Sequence, residues 1–240
     1  MKIEEVIHET RGHVMCRLIK EASFDEWLNY LFDRPECDYG HHWCFNDEGP
    51  VWDVPNELSA EFIARTYEES EHWMRRFSIP QIAAGLRYTW NPTCSNVVFA
   101  IRHEPVPWPL RQRAIRALVP LYQHCYQNLC ERGLSHLGEC LDNPLNEVCY
   151  MYWDVCPFYG QPEKRENHAL DKECLGVMEA TLQIDHDACR ESALHGLGHW
   201  ALAYPSRASS IIEQELNPLR DQLRPELWVY AENAKMGNVQ

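Results

Sequence analysis

Asp187, Glu191, His195 and His199 recur at intervals of four residues. On a helix, at about 100° per residue, each step of four drifts only about 40°, so the four side chains share one face. Neutral imidazoles at i and i+4 can hold a single divalent transition metal such as zinc or iron, and Glu191 offers a carboxylate as third ligand. Cys189, Ala193, Leu194, Leu197, Trp200, Ala201 and Tyr204 fall on the other side. The polar stripe is therefore expected opposite the packing face, where it meets solvent, a groove or a partner. Gly196 and Gly198 interrupt the segment and cost a helix about 2 kcal/mol relative to alanines. That cost calls for a packing or access reason, such as a neighbouring helix crossing closely. The metalloprotease pattern is absent, because the residue after the first histidine is Gly196 rather than the glutamate that serves as general base. Three chemistries fit the stripe: a hydrogen-bonded groove in which Glu191 orients His195, a metal centre, or acid–base catalysis without metal.

Other candidates are looser. Cys37, His41, His42 and Cys44 carry zinc-ligand atoms within one short segment, although adjacent histidines do not readily face one ion, and an aromatic-capped loop accounts for them as well. His136 and Cys140 are another i, i+4 pair, on a segment whose Cys130, Leu134, Leu137 and Leu141 have helical spacing. Trp43, Phe45 and Trp52 stand among Asp47, Glu48 and Asp53, and Glu57, Glu61, Glu68, Glu69 and Glu71 extend the acidic run. Aromatic anchors with an acidic rim suit capture of a protein partner, with Trp43, Trp52, Glu68 and Glu69 as the expected contacts; a solvated acidic helix face is the plainer alternative.

The elements that must position these groups read as helices. Ser23 with Glu26, and Ser78 with Gln81, form capping boxes. Asn143-Pro144 and Asn217-Pro218 each pair an N-cap with proline at the first helical position, and Gly237 follows the last helical run. Only Asn96–Ile101 has β character, without neighbours to make a sheet. The expected fold is all-α: a single domain over residues 1–240, with N-terminal helices and a loop-rich elaboration in 1–56 and a helical body in 57–240.

Residues 185–217 read as a helix, a turn at Pro205-Ser206 and a second helix. The segment Ala188-Cys189-Arg190-Glu191-Ser192-Ala193-Leu194-His195-Gly196-Leu197-Gly198 resembles the second helix of HEAT-like repeats, and Arg113–Leu118 echoes it. The resemblance implies an irregular α-solenoid of helical pairs that binds protein on a curved surface.

Composition narrows the function classes. The chain has 240 residues, 45% hydrophobic and 24% charged, with 22 Lys+Arg against 36 Asp+Glu and a formal charge of −14. A balance this acidic disfavours nucleic acid and favours a basic protein partner. No apolar run approaches the roughly 18 residues that span a bilayer, and the N-terminus has no signal-peptide pattern. Eleven cysteines, an odd number with no Cys-x-x-Cys pair, read as reduced core thiols and place the protein in the cytoplasm. The first expectation is a non-enzymatic, immunity- or adaptor-like binding protein with no cofactor. The second is a metal-dependent hydrolase that uses Glu191, His195 and His199 with one zinc or iron ion.

Overall fold

The computed structural model describes residues 1–7, 14–35 and 49–239. Most of the described chain is helical, and a small sheet lies at its N-terminal end. In that sheet β1 (Lys2–Ile7) runs antiparallel to β2 (Val14–Glu21), and β3 (Val51–Trp52) joins parallel to β2 in the order β1-β2-β3. The N-terminal region therefore holds strands as well as helix. The β character expected at Asn96–Ile101 is not realised: Val97–Ile101 forms a 3-10 turn that buries Val97, Val98, Ala100 and Ile101. Branched residues at these positions fill the core rather than pair in a ladder. The sheet is built instead on sequence with little apolar alternation: residues 2–6 of β1 are exposed, and on β2 Ile19 is buried.

Local signals start the first helices. Ser23 caps α1 (Phe24–Phe32) in a closed capping box with Glu26. Helices α2 (Asn56–Glu68) and α3 (Ser70–Trp73) follow, and a second capping box, Ser78 with Gln81, opens α4 (Ile79–Trp90). Next come α5 (Trp108–Arg116), α6 (Leu118–Leu121), a π-helical turn at Tyr122–Tyr126, and α7 (Gln127–Leu129).

Helical spacing misleads at Cys130–Leu141. This stretch is a loop with one 3-10 turn at Ser135–Leu137, closed by Gly138 in the left-handed region (φ +71°). Leu137 and Leu141 are exposed, so His136 and Cys140 do not lie on one helix. Asn143 then caps α8 (Pro144–Tyr150) by accepting the Leu145 N–H, and α9 (Tyr152–Val155) follows at once.

The second half is a ring around one helix. α10 (His168–Leu182), α12 (Pro205–Leu216) and α13 (Pro225–Lys235) join α8 and α9 in packing against α11 (Asp187–Ala201). His186 stands at the N-cap position of α11 without a side-chain capping hydrogen bond, Asp187 lies in the first turn, and the helix is buried on nearly every side. A Cβ on Gly196 would lie 2.6 Å from Trp153 Cγ and 2.7 Å from Met178 Sδ. The glycine thus serves close packing of α11 against α9 and α10. Gly196→Ala overpacks this contact and is expected to lower stability by about 1–3 kcal/mol in a urea titration.

Gly198 has a different neighbour. At the end of α13, Gly237 (φ +74°) donates its N–H to Ala234 and Asn238 donates to Asn233, the pattern of a Schellman turn. The turn lays Val239 against Gly198, where an added Cβ would come within 2.4 Å of the valine. Buried residues from Ile19 to Val239 form one contiguous hydrophobic cluster, with a small satellite of Ala60, Ala100 and Val106. Among the described residues no helix is long and apolar enough to cross a membrane.

Candidate metal centre

Two ligand atoms come from one helix and a third from its neighbour. His195 and His199 sit one turn apart on α11, and their Nε2 atoms face each other at 3.2 Å. Asp154, on α9, places Oδ1 3.2 Å from His199 Nε2. All three ligand atoms lie within 4.8 Å of one another, and among the described residues this is the one His/Cys/Asp/Glu group so gathered. A ring nitrogen has a single in-plane position for a proton, so His199 Nε2 cannot satisfy both neighbours by donating a hydrogen bond. A cation held by all three would satisfy both contacts. For metal–ligand distances of about 2.0–2.1 Å, tetrahedral geometry puts neighbouring ligands about 3.3 Å apart, close to both observed separations.

His195 is the inner member of the group, only 2% exposed, whereas the side chains of His199 and Asp154 are 36% and 37% exposed. Burial, followed by the neighbouring His199 and His136, lowers the His195 pKa to about 3, so its ring is neutral at pH 7. Its other nitrogen, Nδ1, lies 2.7 Å from Tyr230 Oη on α13, and Tyr230 Oη lies 3.2 Å from Tyr150 Oη. Burial and then the Tyr150 hydrogen bond push the Tyr230 pKa far upward, so that phenol stays protonated.

Glu191 is not part of this group. It is fully buried and accepts the backbone N–H groups of Ser135 and His136, both at 2.9 Å; its Oε1 also lies 2.6 Å from His136 Nδ1. Four residues of helix rise about 6 Å as well as turning about 40°. Glu191 therefore meets the Ser135–Leu137 turn while His195 meets α13 and His199 meets α9. The helix face expected to be open at Glu191 and His195 is closed, and the carboxylate beside the histidines is Asp154. Glu191 does not orient His195; Tyr230 occupies that position, and the His136 ring stacks on Tyr230 with centroids 4.1 Å apart.

The expected partner surface is placed differently too. Trp52 is buried, with its ring centroid 4.4 Å from that of Trp27. Glu68 pairs with Arg113 at 2.7 Å, as does Glu61, while Glu69 pairs with Arg65 at 2.9 Å. Trp43 and the Cys37/His41/His42/Cys44 cluster lie outside the described residues. Cys125, Cys130, Cys149, Cys156, Cys174 and Cys189 are buried free thiols whose pKa values burial raises.

A pocket of about 300 Å³ adjoins the exposed side of the centre. Asp154 and His199 line one part of it, and Trp153, Phe158, Tyr159 and Trp200 line much of the rest. No family model, curated protein or solved structure matches the chain.

Proposed function

We propose that the protein is a metal-dependent hydrolase whose metal, a zinc-class divalent ion, is held by Asp154, His195 and His199. The observation that carries this reading is the convergence of three candidate ligand atoms beside a pocket, two of them on side chains just over a third exposed. Three protein ligands leave a coordination position for water or substrate, and a zinc-class ion held in this way supplies Lewis-acid activation there. The chain's own residues divide the remaining work. With Nε2 directed to the metal, His195 carries its proton on Nδ1 and donates it to Tyr230 Oη, and Tyr230 in turn donates to Tyr150. That relay fixes the ring's tautomer and orientation. Asp154 is the one carboxylate among the residues lining the pocket, so its second oxygen would be the group to receive a proton from an attacking water. In a hydrolysis the elements of water would be added across the bond cleaved, and the proton would pass to the leaving atom.

Two further readings carry less support. Capture of a basic protein is favoured by the charge of −14, but Trp52 lies in the core and Glu68 and Glu69 are already paired with arginines. The HEAT-like resemblance would pair α11 with α12, which do touch, but a ring of helices about α11 is unlike a stack in which each repeat touches only its neighbours.

Protein purified without a histidine tag or chelator is expected to contain about one equivalent of zinc or iron by plasma mass spectrometry, or to take up zinc after chelator treatment. Loss of an outer partner of a metal ligand costs about 10–100-fold in affinity, so His199→Ala and Asp154→Ala, which remove ligands, should each weaken zinc binding by about 100-fold or more. Neither change should unfold the protein, because both side chains are more than a third exposed. Absence of zinc uptake by the folded wild type would overturn the proposal.

A further inference from the structure

The small sheet ends in an unpaired edge. β1 pairs with β2 through one side, and no described residue pairs with its other side. At six residues it is the longer of the two edge strands, β3 having two. An outer strand presents a row of N–H and C=O groups that another strand can extend. No bulge interrupts this one: both irregularities in the pairing skip a residue of β2, Met15 and Lys20, while β1 runs unbroken. Residues 2–6 are all exposed, and two of them, Ile3 at 43% and Val6 at 39%, are apolar. Ile3 stands directly opposite the fully buried Ile19, so its side chain lies on the core-facing side of the sheet and is left open at the margin.

The order of charges along β1 says what extends it. In a two-fold antiparallel pair of identical strands, the axis passes beside one residue, which then faces its own copy. With the axis at Ile3, Lys2 of each copy stands opposite Glu4 of the other, and the two Ile3 side chains meet. With the axis at Lys2, Glu4 or Glu5, like charges meet on it, and at Val6 no opposite charges within β1 are brought together. Opposite charges directly across two strands attract, and like charges repel. The side chains of Lys2 and Glu4 are 57% and 53% exposed, so a second copy can reach both.

We infer that the outer edge of β1 is a homodimer contact, in which two copies pair antiparallel in the register centred on Ile3. Each copy gives three strands to one continuous sheet. The inference does not depend on the metal reading. A contact made by one short strand from each copy is small beside a stable interface, so the dimer is weak and reversible.

Sedimentation velocity of untagged protein from about 5 to 500 μM is expected to show a monomer–dimer equilibrium. Lys2→Glu and Glu4→Lys each set like charges opposite one another twice, and each is expected to raise the dissociation constant at least about tenfold. The double exchange, Lys2→Glu with Glu4→Lys, opposes unlike charges again and is expected to recover the wild-type value to within about threefold. Glu4→Lys also lowers the overall negative charge, which by itself would favour association, so weakening in this variant reports the local pairing. Both positions are exposed, and circular dichroism checks that the variants keep the fold. Protein that stays monomeric across the whole range would overturn the inference. A dimer unmoved by either single change, or one that the double exchange does not restore, would use another surface or register and would overturn it as well.

Discussion

Glu191→Ala is expected to destabilise the protein by about 3–5 kcal/mol, the range for removing one partner from a buried charged network, while the folded fraction still binds zinc. The carboxylate is fully buried and holds the N–H groups of Ser135 and His136 as well as the His136 ring. Without it those donors, which face a fully buried position on α11, lose their acceptor, each a substantial cost. The Ser135–Leu137 turn would lose its anchor to α11, and the His136 ring its register on Tyr230. Glu191→Gln keeps the shape and an acceptor oxygen, so a smaller loss is expected. His199→Ala should give the opposite pattern, with zinc lost and the urea midpoint nearly unchanged. Midpoints and zinc content measured on all three variants separate the two roles. If Glu191→Ala lost zinc and kept its stability, Glu191 would be a ligand and the assignment of Asp154 would be wrong.

This contrast also shows what the sequence made legible. The i, i+4 spacing of His195 and His199 is a local property of one helix, and it brings their ring nitrogens together as a helix must. The same period suggests Glu191, but a face shared by angle is not a site shared in space, because each step of four also rises about 6 Å. Asp154 had no such signal. It stands in Tyr152-Trp153-Asp154-Val155-Cys156, an apolar run that reads as core, and reaches His199 only because α9 packs on α11. Tyr230 is likewise supplied by a distant helix. Capping boxes at Ser23 and Ser78 were legible for the same reason as the histidine pair, since each closes within four residues. The strands were not, because β1 and β2 carry charged residues along their length and their pairing is set by contacts across the chain. Trp52 misleads through its acidic neighbours: Asp53 beside it is exposed, but the indole turns inward onto Trp27.

Acid should weaken the metal-free protein steadily as the pH falls from 7 to 4.5. Burial, with the neighbouring His199 and His136, lowers the His195 pKa to about 3, and burial, with Arg132, lowers that of His186. Both rings are buried, at 2% and 3% exposure. In the unfolded chain a histidine titrates near 6.5, so between that pH and its lowered native value the unfolded state holds a proton that the native state does not. Stability therefore falls as pH drops through this window, by roughly 1.4 kcal/mol per pH unit for His195 once the unfolded ring is fully protonated. The contribution is fully present above pH 6.5 and exhausted near pH 3. Urea midpoints of the metal-free protein at pH 7, 5.5 and 4.5 are expected to decline steadily, a range that stays above the lowered pKa of Glu139, about 2. His195→Gln lowers stability at pH 7 by removing the Tyr230 partner, yet should flatten the slope between pH 6.5 and 4.5; His186→Gln should flatten it further. A slope unchanged in the His195 variant would mean that the native ring takes up a proton in this range. The inner side of the centre would then be wetter than a 2% exposed imidazole between Tyr150 and Tyr230 allows.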